Sequence, residues 1–216
     1  MPIYKPRGWT SFDVVKKIRR ITGERKVGHA GTLDPFAEGV LVVAIGRQWT
    51  RQLSRLTGEE KEYDAVLKLG IQTDTLDPEG KVVATSPVLP LSEARIEEAF
   101  LAFTGRIQQT PPMYSSKKVD GVRLYKLARK NIEIEREPVT VEIKNLRLNS
   151  LTKDTLDFSV TCSKGTYVRQ LGADIARSLG TVGHLIFLKR IRVGNYSIED
   201  CKSLQDLEEE WLSIAA

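Results

Sequence analysis

Sulfur, imidazole and long apolar runs are all scarce in these 216 residues. Two cysteines, Cys162 and Cys201, are too few for a disulfide framework or a thiolate zinc site, so reduced structural thiols are expected. With only His29 and His184, a three-histidine metal centre is excluded. His29 and Asp34 lack a nearby cluster of further ligand types, and no metal is expected. No stretch of about 18 uncharged apolar residues occurs, and the residues after Met1 form no apolar signal core. The expectation is a soluble, untargeted, cytoplasmic chain that makes no use of a membrane. A GxSxG nucleophile elbow is missing, as are GxGxxG and GxxxxGK[ST] phosphate cradles. Carboxylates remain as the candidate chemistry.

What is present is charge, unevenly spread. The 33 basic and 28 acidic residues leave a net charge of +5. From Lys5 to Lys26 there are eight basic and two acidic residues, from Arg106 to Arg136 eight and three, and from Lys164 to Arg192 six and one. The last eighteen residues run the other way, with six carboxylates against Lys202 alone. Three basic segments able to converge suggest a polyanionic partner, because each neutralised phosphate releases counterions. Solvated helix faces would produce the same counts.

The hydrophobic content of 41% supports a sizeable core, and one domain over 1–216 is expected. Val14, Val15, Ile18 and Ile21 recur at helical spacing after Ser11, which can cap the helix, and Gly23 is placed to end it. Val40 to Ile45 reads as a strand covered on both faces. Tyr63, Ala65, Leu67, Leu69 and Ile71 mark a half-buried strand that stops at the turn TDTLDPEG, 73–80. Ser92 opens a second helix, with Gly105 at its end. Residues 109–131 are basic and broken at Pro111-Pro112, with a short helical pattern around Leu124 and Leu127. They read as a ligand-contacting excursion or a long surface loop. Strands follow at Val139 to Ile143 and Leu156 to Cys162, then a helix from about Thr166 to Leu179, a strand from Leu185 to Ile191, and a last helix from Ser203 to near Trp211. Without regular strand and helix alternation, the order predicts α+β with a mixed, mainly antiparallel sheet.

The stretch GHAGTLDPFAEGVL, 28–41, sets His29 and Asp34 among glycines ahead of a buried strand. Pro35 disfavours helical geometry at Asp34 and makes a plausible first helical residue, so the aspartate could simply be a cap. The glycines equally suit a close approach of backbone to ligand. The residues alone leave capping and catalysis open.

This stretch closely resembles the central motif of the TruB family of tRNA pseudouridine synthases. YKPRGWTS (4–11) is similar to the family's N-terminal KPxGxxS segment. KEYDAVLKLGIQTDTLDPEG (61–80) is similar to its tyrosine-bearing strand and the turn that follows. PPMYSSKKVDGVRLYKLARK (111–130) and CSKGTYVRQLGADIARSLG (162–180) resemble two later motifs. Five motifs occur in order over nearly the whole chain.

The resemblance implies a pseudouridine synthase fold, a central mixed sheet flanked by helices and loops, with a thumb-like insertion at about 109–136. It implies an isomerase that converts the T-loop uridine U55 of tRNA by base flipping, acting as a monomer without cofactor or metal. Asp34 would be the catalytic carboxylate, paired with Arg169, while Tyr63 would pack on the target base. His29 would stack into the space the base vacates, Lys5 would lie near the site beside Pro6, and Tyr167 and Leu188 would line the pocket. Many bacterial relatives continue into a PUA-type RNA-binding module, which is expected to be absent here. A non-catalytic RNA-binding protein on this scaffold, and a guide-RNA-dependent relative, are the alternatives. Asp34, Tyr63 and Arg169 together argue for catalysis.

Overall fold

The structure is a computed structural model that describes residues 1–215. In chain order the elements are β1 (Pro2–Lys5), α1 (Ser11–Thr22), β2 (Val27–Ala30), β3 (Glu38–Ile45), the short α2 (Arg47–Thr50) and α3 (Leu53–Gly58), β4 (Lys61–Leu69), β5 (Ile71–Thr73), β6 (Val82–Thr85) and α4 (Glu93–Phe103). There follow β7 (Gly105–Gln109), β8 (Lys118–Val119), β9 (Val122–Arg123), α5 (Leu124–Ala128), β10 (Val139–Leu151), β11 (Thr155–Cys162), α6 (Val168–Ser178), β12 (Gly183–Val193), β13 (Tyr196–Ser197) and α7 (Leu204–Ala215). The chain divides into two compact units, Met1–Asp64 with Leu188–Ala216, and Ala65–Phe187.

In the first unit β3 is the organising strand. Strands β1 and β2 pair with it antiparallel, while β12 pairs parallel through Lys189 opposite Glu38 and Arg190 opposite Gly39. Because β3 is covered on both faces, its apolar residues run without alternation. Leu41 and Val43 pack with Ile3, Val14, Val15, Ile18, Val27 and Leu207, and Val40 and Val42 pack with Ala30 and Val193. Helix α1 contributes Val14, Val15 and Ile18, as its period predicts. Its cap differs from the expectation. Thr10, not Ser11, is the N-cap, in a reciprocal capping box with Asp13. Ser11 is buried and its hydroxyl is engaged elsewhere. Gly23 ends the helix at φ 68°, its N–H returning to the Arg19 carbonyl.

The second unit holds the first residues of β12, most of β4, and β11, β10 and β7, in that order across the sheet. Strands β7, β10 and β11 pair antiparallel, with register shifts in β10 after Ile143 and Leu148. Helix α4 packs on β10, and Phe100 meets Phe158 edge to face at 5.9 Å. Ser92 caps α4 as expected, but the helix closes at Thr104, and Gly105 at φ 92° starts β7 instead. Helix α6 lies close on β12: a side chain at Gly172 would meet Leu185 at 2.9 Å, and one at Gly183 would meet Ala176 at 2.8 Å. Within residues 109–131 the short helical pattern around Leu124 and Leu127 is α5, which buries Leu124 and Ala128, and the two-stranded ribbon β8–β9 precedes it, where no strand was expected. The observed mixture is α+β, with the β3–β12 pair parallel and the β1–β3, β2–β3, β7–β10 and β10–β11 pairs antiparallel.

Candidate active site

Within the first unit, the loop joining β2 to β3 is fixed from several directions. The Leu33 N–H donates to Ser11 Oγ at 2.9 Å, and the Ser11 hydroxyl donates to the Leu33 carbonyl at 3.1 Å. The Gly8 N–H reaches the Pro35 carbonyl at 2.8 Å. Lys5 is fully buried, and its ammonium donates to the carbonyls of Pro6 (2.9 Å), Trp9 (2.6 Å) and Pro35 (3.4 Å). Buried charge of this kind is tolerated where hydrogen bonds replace its hydration. Leu33, Phe36 and Ala37 anchor the loop in the core, while Asp34 between them is only half-buried. Of the two readings left open for Asp34, capping loses its premise. Pro35 and Phe36 form a turn, closed by the Ala37 N–H on the Asp34 carbonyl, and no helix starts there.

A guanidinium that sequence reasoning passed over completes the frame. Arg190 is 1% exposed. Its Nε donates to the Val40 carbonyl at 2.7 Å, and its two terminal nitrogens donate to Gly31 (3.2 Å) and Thr32 (3.4 Å). Its backbone lies so near Gly39 that a side chain there would meet the Arg190 carbonyl oxygen at 2.2 Å, and Gly39 adopts φ 108°. The motif glycine is therefore required by packing as well as by conformation. Replacing Arg190 with methionine would strip one buried and two part-buried carbonyls of their donor. At about 1–3 kcal/mol for each unsatisfied group, unfolding free energy should drop by several kcal/mol, measurable by urea titration.

His29 stands on β2 opposite Val43, half-buried, with Nδ1 enclosed and lacking a hydrogen-bond partner. Burial, and secondarily the Arg190 charge, lower its pKa below the ordinary 6.5. The ring is held neutral near pH 7. Since the folded value is the depressed one, the stability it confers is whole above the ordinary value and is lost as pH falls through the folded value. Titration of the imidazole resonances by NMR should give a midpoint below 6.5, and Arg190→Met, where it folds, should raise it. Tyr63 is buried on β4 and Leu188 on β12 of the same unit.

The second unit holds Tyr167 and Arg169 at the start of α6. Tyr167 is half-buried at the N-cap position, and its backbone is clamped by one amide: its N–H donates to Gln109 Oε1 at 2.8 Å, and Gln109 Nε2 donates to its carbonyl at 3.2 Å. Arg169 is 3% exposed, donating to the carbonyls of Thr75 and Tyr114 (the latter at 2.8 Å) and lying 3.5 Å from Asp77 Oδ2. The turn at 73–80 is built to present Asp77. Thr73 Oγ1 accepts from the Asp77 N–H, while Asp77 Oδ1 accepts from the Thr75 hydroxyl at 2.5 Å and the Glu79 N–H at 3.0 Å. At Gly80 any side chain would strike Thr75 and Asp74.

The sequence-predicted residues thus fall in two groups, Lys5, His29, Asp34, Tyr63 and Leu188 in one unit and Tyr167 and Arg169 in the other. Ser11, Asp77, Gln109 and Arg190 were missed as supports. Only for Ser11 and Asp77 did a signal exist, since both lie inside motif segments. His184, the other histidine, is buried with Nδ1 on the Ile71 carbonyl at 2.8 Å, a structural bond.

A family profile described as the TruB family pseudouridylate synthase N-terminal domain matches residues 19–168, and one described as the tRNA pseudouridylate synthase B C-terminal domain matches residues 169–215. The chain is 46% identical over 199 residues to tRNA pseudouridine synthase B of Chlamydia abortus, covering 92% of this chain and 84% of that protein. It is 45% identical over 208 residues to tRNA pseudouridine synthase B of Clostridium tetani, covering 96% and 72%. Among solved structures it resembles a chain of a Cbf5-Nop10-Gar1 complex, with TM-score 0.77 and 28% identity over all of this chain and 56% of that one.

Proposed function

Since this chain belongs to the TruB family of pseudouridylate synthases, we propose that it isomerises the T-loop uridine U55 of tRNA to pseudouridine, with Asp34 as the catalytic carboxylate. The reaction breaks the bond from N1 to C1′, turns the uracil, and joins C5 to C1′; the C5 proton leaves and N1 gains one, so substrate and product are isomers. A carboxylate serves this as nucleophile on C1′ or C6, or as base toward a ribose proton. The observation that carries the assignment is the setting of Asp34, a half-buried carboxylate on a loop held by Ser11, Lys5, Gly8 and Arg190. Rigid support of this kind suits a group that must meet a reacting atom without reorganising.

Tyr63 and Arg169 are the other proposed catalytic residues. Lys5, His29, Tyr167 and Leu188 are proposed to bind the substrate. A uridine in a folded loop must leave its stack before a protein carboxylate reaches it, at a cost of a few kcal/mol. A neutral His29 ring is suited to fill the vacated place, because stacking needs a flat face and not a charge. Identity of 46% and 45% to proteins named tRNA pseudouridine synthase B supports tRNA as the substrate. The test uses tRNA transcript tritiated at uridine C5. The protein alone should release one equivalent of label per tRNA, and a transcript carrying cytidine in place of the target uridine should release none. Undiminished release from that transcript would remove the assignment.

A further inference from the structure

Helix α1 turns one face into the core and leaves aromatic and basic side chains on the other. Trp9 and Phe12 are 38% and 52% exposed. Lys16 Nζ lies 5.0 Å and Arg19 Cζ 5.8 Å from the Phe12 ring centroid, so the ring is flanked by two cations along successive turns. Beside it, Gly8, Trp9, Asp13, Lys16, Lys17 and Arg20 line an open concavity of about 390 Å³. Asp13, the one carboxylate in that lining, is held by the Thr10 backbone and hydroxyl and lies 3.7 Å from Lys16 Nζ. Among the described residues, Arg7 and Arg20 are exposed and have no ion-pair partner.

This face is tied to the catalytic loop. The Lys5 ammonium joins the Trp9 carbonyl to the Pro35 carbonyl, and the Gly8 N–H bonds to Pro35 as well. Trp9 therefore starts where the residue following Asp34 ends. A helix of twelve residues extends the face by about 18 Å.

We propose that the outer face of α1 is a docking track for the RNA strand that continues from the flipped nucleotide, with Trp9 and Phe12 stacking against bases and Arg7, Lys16 and Arg20 meeting phosphates. The inference rests on the proposed reaction for the position of that nucleotide, and it names a surface which that reaction does not require. Exposed rings interleaved with cations are how proteins hold unpaired strands, since every base offers a flat face and every step a phosphate. Charge complementarity favours this occupant: a second copy meeting it with the same face would set one cationic face against another.

The test measures Kd for a T stem-loop RNA, by fluorescence anisotropy at several salt concentrations, with the whole chain. Arg7→Ala/Arg20→Ala should weaken binding about tenfold and reduce the salt slope by about one to two, as loss of two phosphate contacts requires. Phe12→Ala, at an exposed position where the fold loses little, should weaken binding about tenfold with the salt slope unchanged. Lys153→Ala, an exposed cation in the turn after β10, should change neither. Unchanged Kd in the first two variants, equal loss in Lys153→Ala, or an effect confined to anionic vesicle binding or to oligomeric state would each overturn the proposal. Failure of the wild-type chain to release C5 tritium would instead refute the proposed reaction and leave these affinities to be judged separately.

Discussion

Asp34→Asn is expected to abolish pseudouridine formation, with the single-turnover rate falling by roughly 10³ to 10⁵, the scale seen when a group that acts directly on bonds is removed. The amide matches the carboxylate in shape, so the loop should persist. Its supports are the Ser11 hydroxyl on the Leu33 backbone, the Lys5 ammonium and Gly8 N–H on Pro35, and Arg190 on Gly31 and Thr32, and none of these bonds uses the Asp34 side chain. RNA affinity should therefore stay within about tenfold, a change of about 1.4 kcal/mol. Retained turnover with retained binding would show that the carboxylate does no chemistry.

Arg169→Lys is expected to lower the rate on the order of 100-fold while the protein remains folded. The substitution keeps the positive charge beside Asp77, so the buried carboxylate is not left uncompensated. What it removes is span. One guanidinium reaches the Thr75 carbonyl, the Tyr114 carbonyl and Asp77 together, and through them it links the turn at 73–80, the segment after Pro112 and the first turn of α6. A single ammonium on a flexible stem cannot reproduce that fork. Thermal unfolding measured beside the kinetics separates the two effects: a modest fall in Tm with a large fall in rate supports a catalytic role, and a wild-type rate removes it.

Much of the fold was legible because the signals that specify it are local. The period of Val14, Val15 and Ile18 placed α1, and the unbroken run before Gly46 placed β3 between two covered faces. Errors arose where a distant group had taken a side chain. Ser11 looks like a cap by composition, yet its hydroxyl bonds Leu33, and capping passes to Thr10. Gly105 looks like a helix stop, yet Thr104 closes the helix and the glycine starts a strand. The ribbon inside 109–131 was invisible because two-residue strands have no period to read.

The candidate site divides in the same way. Asp34 and His29 stand in one dense motif and could be named from it. Arg190 could not, since it lies in the basic stretch LKRIR, where a cation reads as solvent-facing, and its three carbonyl partners are 150 to 159 residues away in sequence. Asp77 was noted only as part of a turn. Its burial against Arg169 follows from packing that no local pattern encodes.

The central claim is that the Asp34 carboxylate rearranges one uridine of the tRNA T loop. Its most direct measurement is the position and yield of modified nucleoside after a single turnover on a T stem-loop RNA with wild-type protein and with Asp34→Asn. Complete conversion of U55 by the first and none by the second is the predicted result. Equal conversion by both, or modification confined to another position, would contradict it.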